Sequence, residues 1–127
     1  MNLYQLHTNP ESLDDYVKSQ DVNPDFFWQK YKDNPEELKK REKYIARDPE
    51  YALKYAEKIL KGPFPASEAE IAKVAAYSYY YARDVLDGPF PAGEDTLAKD
   101  VYYAFVYARD VLKEDFYYKG KLIAKAE

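Results

Sequence analysis

The chain has 127 residues, 46% of them hydrophobic, and a net charge of −4 with acids and bases interspersed. That length and composition suit a single domain with a real core and argue against disorder. No apolar run reaches the roughly 18 residues of a membrane span, and no basic face is present to neutralise the phosphates of a nucleic acid. Cysteine is absent, which excludes disulfides, thiolate metal ligands and thiol nucleophiles and suits a cytoplasmic location.

The N-terminus, Met-Asn-Leu-Tyr-Gln-Leu-His, lacks the basic and apolar regions of a signal peptide. Three phrases of one kind then follow: Asn9-Pro10-Glu11, Asn23-Pro24-Asp25 and Asn34-Pro35-Glu36. Each offers a side-chain cap, a proline fit for a first turn and an acid at the positive end of the helix dipole. They predict helices over 10–18, 24–32 and 35–46. The stretch 23–31, with Phe26, Phe27 and Trp28, resembles 48–56 further on and reads as a diverged first unit. Residues 1–44 are thus expected to be N-terminal capping helices.

From Ile45 a 26-residue repeat sets in. Gly62-Pro63-Phe64-Pro65-Ala66 returns as Gly88-Pro89-Phe90-Pro91-Ala92, and the same offset aligns Tyr55-Ala56 with Tyr81-Ala82 and Tyr107-Ala108. Ile45-Ala46, Ile71-Ala72, Leu97-Ala98 and Ile123-Ala124 also fall in register. Several units without insertion or deletion define a repeat architecture. In the last full unit Tyr103, Ala104, Tyr107, Ala108, Val111 and Leu112 form one helical stripe.

The ends of each unit are marked. Asp48-Pro49-Glu50 opens a long helix. Gly62 and Gly88 stand where a left-handed cap closes one, with proline following. Ser67-x-x-Glu70 reads as a capping box opening a short second helix. In the middle unit Val74-Ala75 replaces Asp48-Pro49, so one longer helix is expected from about Ser67 to Asp87. The expected fold is all-α: a solenoid-like array of helix-turn-helix units over 45–127 with a truncated last unit, in a single helical domain spanning 1–127. The 15 tyrosines suit thin layers, in which a ring packs while its hydroxyl stays wet.

No chemistry stands out. His7 is the single histidine and has no second imidazole or thiolate to share a metal. The acidic pairs Asp14-Asp15, Glu36-Glu37 and Glu68 with Glu70 sit at helix starts, where the dipole accounts for them. No glycine-rich phosphate loop exists, and none of Ser12, Ser19, Ser67 and Ser78 has the setting of a nucleophile. No catalytic residue, cofactor or metal is therefore expected.

What remains is surface. Where the first unit has Leu53-Lys54, the second has Tyr79-Tyr80 and the third Phe105-Val106, with Tyr102 besides. This second face packs either against neighbouring helices or against a partner, since aromatic rings are enriched in binding hot spots. Beside it runs Arg83-Asp84, repeated as Arg109-Asp110. The partner-binding candidates are Tyr79, Tyr80, Tyr102, Phe105, Arg83 and Arg109.

The form Tyr-Ala-x-x-Val-Leu-x-Gly-x-x-Pro at Tyr81–Pro91 resembles short helical repeats of bacteriophage-encoded proteins of uncharacterised function. The resemblance covers Ile45–Glu127, and Asn34–Glu42 fits the same pattern. It implies an all-α fold, a viral origin and residence in a host cytoplasm, and it carries over no catalytic or binding residue. The third unit departs from it at Glu114, Tyr117 and Tyr118, which predicts a different last turn. The leading expectation is a non-catalytic protein–protein interaction module that acts on a host protein. The alternatives are an acidic nucleic-acid mimic and a self-assembling structural protein, a homo-oligomer.

Overall fold

In a computed structural model, residues 21–127 are described; the expected helix over 10–18 and His7 lie outside them. The described residues are mostly helical, with one two-stranded sheet among them. They fall into two compact units that divide between Tyr44 and Ile45. No helix among them is long and apolar enough to cross a membrane.

In the first unit, Asn23 and Asn34 do what their sequence context predicts. The Asn23 side chain accepts from the Asp25 N–H at 3.0 Å and opens α1, Pro24–Tyr31; that of Asn34 accepts from the Glu37 N–H at 3.4 Å and opens α2, Pro35–Lys39. The expected helix over 35–46 is interrupted: α3 begins anew at Glu42 and runs to Ile45. The Arg41 N–H turns back to Leu38 O at 2.9 Å, tightening the chain between the two. Its guanidinium binds Asp21 at 2.8 Å and Glu37 at 2.9 Å and lies 4.1 Å from the Tyr31 ring centre. Phe27, Trp28 and Leu38 are buried.

The second unit carries the repeat. Asp48 accepts from the N–H groups of Glu50 and Tyr51 at 3.1 and 3.3 Å and starts α4, Pro49–Tyr55. The helix then widens into a π-turn over Ala56–Leu60. The same change occurs in α5-bearing and later repeats: α5 is Glu68–Ile71, α6 is Ala75–Tyr80 with its π-turn over Tyr81–Leu86, α7 is Glu94–Leu97, and α8 is Val101–Val106 with its π-turn over Tyr107–Leu112. The apolar pairs of the sequence recur every four residues. That spacing lies between the 3.6 of an α-helix and the roughly 4.4 of a π-helix, so a helix that is half of each keeps the stripe on one side.

Each π-turn ends on a left-handed residue: Lys61, Asp87 and Lys113, with φ of 52°, 50° and 57°. This corrects the expected role of Gly62 and Gly88, neither of which has positive φ. The N–H groups of Gly62, Gly88 and Glu114 all fold back to an alanine carbonyl, that of Ala56, Ala82 and Ala108, at 3.1, 3.1 and 3.3 Å. Glutamate serves as well as glycine there because its backbone does the same thing.

The capping box at Ser67 is not formed. The Ser67 hydroxyl donates instead to Ala46 O at 2.8 Å, and Ser67 is fully buried. Nor does the middle unit form one long helix. Val74 is extended (φ −125°, ψ 123°) and separates α5 from α6. The Ile71 carbonyl takes the Val74 N–H at 3.2 Å and also accepts from the Ser78 hydroxyl at 3.1 Å, and that of Ala72 accepts from Thr96 at 2.6 Å. Side chains thus satisfy the break that Asp48-Pro49 makes in the first repeat.

The core is a set of equivalent positions. Ile45, Ile71 and Leu97 are buried, as are Ala52, Ser78 and Ala104, Tyr55, Tyr81 and Tyr107, and Phe64, Phe90 and Phe116. Each tyrosine packs edgewise or tilted on the phenylalanine of its own turn, with ring centres 5.0–5.2 Å apart. The hydroxyls of Tyr81 and Tyr107 reach the preceding turn. Tyr81 accepts from the Phe64 N–H at 2.9 Å and donates to Glu68 at 2.5 Å. Tyr107 does the same with Phe90, at 3.0 Å, and Glu94, at 2.6 Å. Burial, reinforced by the glutamate, raises both phenols above their usual range.

The second unit ends in a hairpin, where a truncated last repeat was expected. β1, Phe116–Tyr118, pairs antiparallel with β2, Lys121–Ala124, across Lys119-Gly120, both at positive φ. Two positive φ values in a two-residue turn match the right-handed twist of the strands. Gly120 stands where the earlier repeats have Glu68 and Glu94, so the acceptor for a further tyrosine is missing.

Candidate interaction surface

Helices α6 and α8 with their π-turns lie side by side and bring an aromatic cluster together. Tyr79 and Tyr80 come from α6, Tyr102 and Tyr103 from α8. Ring centres are 5.4 Å apart for Tyr79–Tyr80, 5.9 Å for Tyr79–Tyr103, 6.3 Å for Tyr80–Tyr103 and 5.0 Å for Tyr102–Tyr103. Tilted and edge-on rings at such spacings attract through their quadrupoles, by about 0.5–1.5 kcal/mol a pair.

The cluster has an inside and an outside. Tyr79 is 4% exposed and Val106 is 2% exposed, so these two of the second-face positions are core. Tyr80 is 37% exposed, Tyr102 63% and Val101 91%; Tyr103 and Phe105 are half-buried. The candidate Tyr79 therefore lies beneath the surface, while Tyr80 and Tyr102 form it, with Phe105 at its margin.

Tyr79 is fixed from below. Its hydroxyl donates to Asp110 at 2.5 Å and accepts from Arg83 at 3.3 Å. Burial, then the Asp110 carboxylate, raises the Tyr79 phenol. Asp110 also takes two hydrogen bonds from Arg109, at 2.6 and 2.9 Å. With Arg109 first and Tyr79 second as its donors, its carboxyl is lowered to about 2. Arg83 pairs likewise with Asp84 at 2.7 and 2.9 Å. Both guanidiniums lie on aromatic faces: Arg83 is 5.1 Å from the Tyr79 ring centre and 5.2 Å from that of Tyr80, and Arg109 is 5.3 Å from Phe105. The neighbouring Tyr80 hydroxyl, more than burial, raises the Tyr103 phenol.

Of the six sequence candidates, Tyr80, Tyr102, Arg83, Arg109 and Phe105 are at least partly accessible, and Tyr79 organises them. Tyr103 and Val101 belong with them and were not singled out, and Asp110 was read only as part of the charged strip. Tyr103 was assigned to the core stripe, whose first turn the structure leaves half open. Val101 stands at the helix position held by Pro49 in the first repeat, a first-turn site that faces solvent. Asp110 is legible only from the three-dimensional neighbourhood of Tyr79, 31 residues away. Among the described residues no group of three histidine, cysteine or acidic side chains is arranged to hold a metal ion. No family model matches the chain, and no curated protein or solved structure shows significant similarity to it.

Proposed function

We propose that this chain is a non-catalytic protein–protein interaction module, a short solenoid-like array of 26-residue units. In keeping with the repeat style it resembles, we read it as a phage accessory protein that acts on a host protein in the host cytoplasm. The observation that carries the reading is the exposure of Tyr80 and Tyr102, each against the ring of Tyr103, over a fixed layer of Tyr79, Asp110 and the two arginines. A soluble chain gains nothing in folding from apolar groups left in water; contiguous ones mark contact sites. Tyrosine supplies contact area at a low ordering cost, and here Tyr80 and Tyr102 already lie against the rings of Tyr79 and Tyr103.

Affinity capture by the tagged full chain, at low and high salt, tests the reading. A partner held mainly by aromatic packing stays bound in high salt. Tyr80→Ala with Tyr102→Ala is expected to abolish its capture while the circular dichroism spectrum stays unchanged. Lys54→Ala, on the equivalent face of the first repeat, is expected to leave capture intact. Equal capture by the double variant and the parent chain would remove this surface from the function.

A further inference from the structure

A two-stranded sheet leaves the outer backbone groups of both its strands without a ladder partner. In the hairpin of β1 and β2, no backbone group of residues 116–124 bonds to backbone outside the hairpin among the described residues. We propose that the outer edge of β2 is a docking site for an extended acidic segment of another protein, which adds as a third strand. The β2 edge is where the array is incomplete. Ile123 stands in register with Ile45, Ile71 and Leu97. Those three are fully buried, whereas Ile123 is half-buried and its neighbour Leu122 is 41% exposed. Leu122 pairs across the ladder with Tyr117, itself 59% exposed. The sheet thus carries an outward apolar pair that a third strand would prolong on the same face. Backbone bonds hold such a strand, and its alternate side chains give the specificity.

Charge decides between occupants. Residues 119–125 hold Lys119, Lys121 and Lys125 and no acid, in a chain whose net charge is −4. All three lysines are exposed. A second copy of the hairpin, laid antiparallel along β2, would bring both sets of lysines into one small sheet, and like charges across a ladder repel. Lysines on an edge are a device against indiscriminate pairing, but they favour a strand that carries carboxylates. The occupant is therefore an acidic segment with apolar residues at alternate positions, which meet Leu122 and Ile123. This is a second contact surface, and it rests on the hairpin alone and not on the aromatic cluster.

The test uses the isotopically labelled full chain and, as probe, a short end-capped peptide of alternating glutamate and valine. Amide resonances follow binding, and hydrogen exchange locates it. The expected result is saturable binding that weakens as salt rises, with exchange slowed at alternate amides of β2 and unchanged in α1 and α4. A lysine–valine peptide of the same length should not bind. Nor should the glutamate–valine peptide methylated at every backbone nitrogen, which keeps each side chain and loses every ladder donor. Lys121→Glu with Lys125→Glu, both at exposed positions, is expected to weaken the glutamate peptide by about tenfold or more and to admit the lysine peptide. If that variant fails to fold, the methylated peptide still decides. Absence of binding by the glutamate peptide would overturn the proposal, as would equal binding of its methylated form or protection confined to α6 and α8. So would a concentration-dependent dimer closed through β2 without peptide, because the edge would then belong to a second copy.

Discussion

A Cβ added at Gly93 would lie 2.6 Å from Ser78 Oγ and 2.7 Å from Ser78 Cβ, closer than packed atoms approach. In the preceding repeat the same two positions hold Ser67 and Ala52, so one hydroxyl occupies the gap from the turn side in one repeat and from the helix side in the next. Gly93→Ser alone is expected to cost about 1–3 kcal/mol by overpacking. Combined with Ser78→Ala, which removes the Oγ at 2.6 Å but keeps the Cβ at 2.7 Å, it should recover part of that loss. Urea denaturation of the four proteins in the cycle measures this, and additive losses would refute it. The tyrosine hydroxyls invite a second measurement. Tyr81 and Tyr107 ionise above their usual range in the folded chain. Their contribution is full below the unfolded value of about 10 and is lost as pH rises from there toward the folded value. Alkaline unfolding of the parent should thus steepen above that point, and Tyr81→Phe with Tyr107→Phe should flatten it. At neutral pH the same pair should cost about 1–3 kcal/mol for each turn N–H left without its acceptor.

At the scale of elements, the turn chemistry separates what a sequence announces from what it conceals. The helix starts at Asn23, Asn34 and Asp48 were legible because the cap, the proline and the first-turn acid act within four residues. The π-turns went unread, because the four-residue apolar spacing passes as the stripe of an ordinary α-helix, whose 3.6-residue period it overshoots. Ser67 and Val74 misled, because the bonds that matter there run between residues distant in sequence: the Ser67 hydroxyl donates to the Ala46 carbonyl, and Thr96 donates to that of Ala72 beside the break at Val74. The hairpin was hidden by the repeat itself, whose register places a helix where Lys119-Gly120 makes a turn. Likewise the surface was legible as a set of extra rings, but which of them was core was not. That depended on whether Asp110 reached Tyr79 from the next helix. Since the left-handed residues are Lys61 and Asp87 and not the glycines after them, substitutions there have opposite expected signs. Lys61→Gly should stabilise by roughly 0.5–1 kcal/mol, because glycine adopts positive φ without a Cβ clash. Gly62→Ala should cost no more than about 0.5 kcal/mol, its Cβ meeting only Leu60 O at 3.9 Å. Thermal denaturation distinguishes these from a glycine cap, for which Gly62→Ala would be the damaging change.

Across the second unit as a whole, each repeat completes the one before it. A turn supplies a backbone N–H and a glutamate, and the next helix supplies the tyrosine that joins them. The relation is local, so stability should grow by nearest-neighbour increments as units are added. The hairpin stops it, because Gly120 replaces the glutamate and a strand covers the last turn. A direct consequence can be tested by inserting a copy of residues 63–88 immediately after Gly88. The insertion is one period long, so both junctions keep their native neighbours. The new turn receives its tyrosine from within the inserted copy, and the hairpin still closes the end. The lengthened chain is expected to unfold in one transition, at a denaturant midpoint no lower than the parent's and with a larger m-value from the added buried surface. Removing the new latch by a tyrosine-to-phenylalanine change in the inserted copy should cost what Tyr81→Phe costs in the parent. If the inserted segment instead unfolds separately, at lower denaturant than the rest, the tyrosine latch does not couple the repeats and the units draw their order from contacts specific to their own places in the chain.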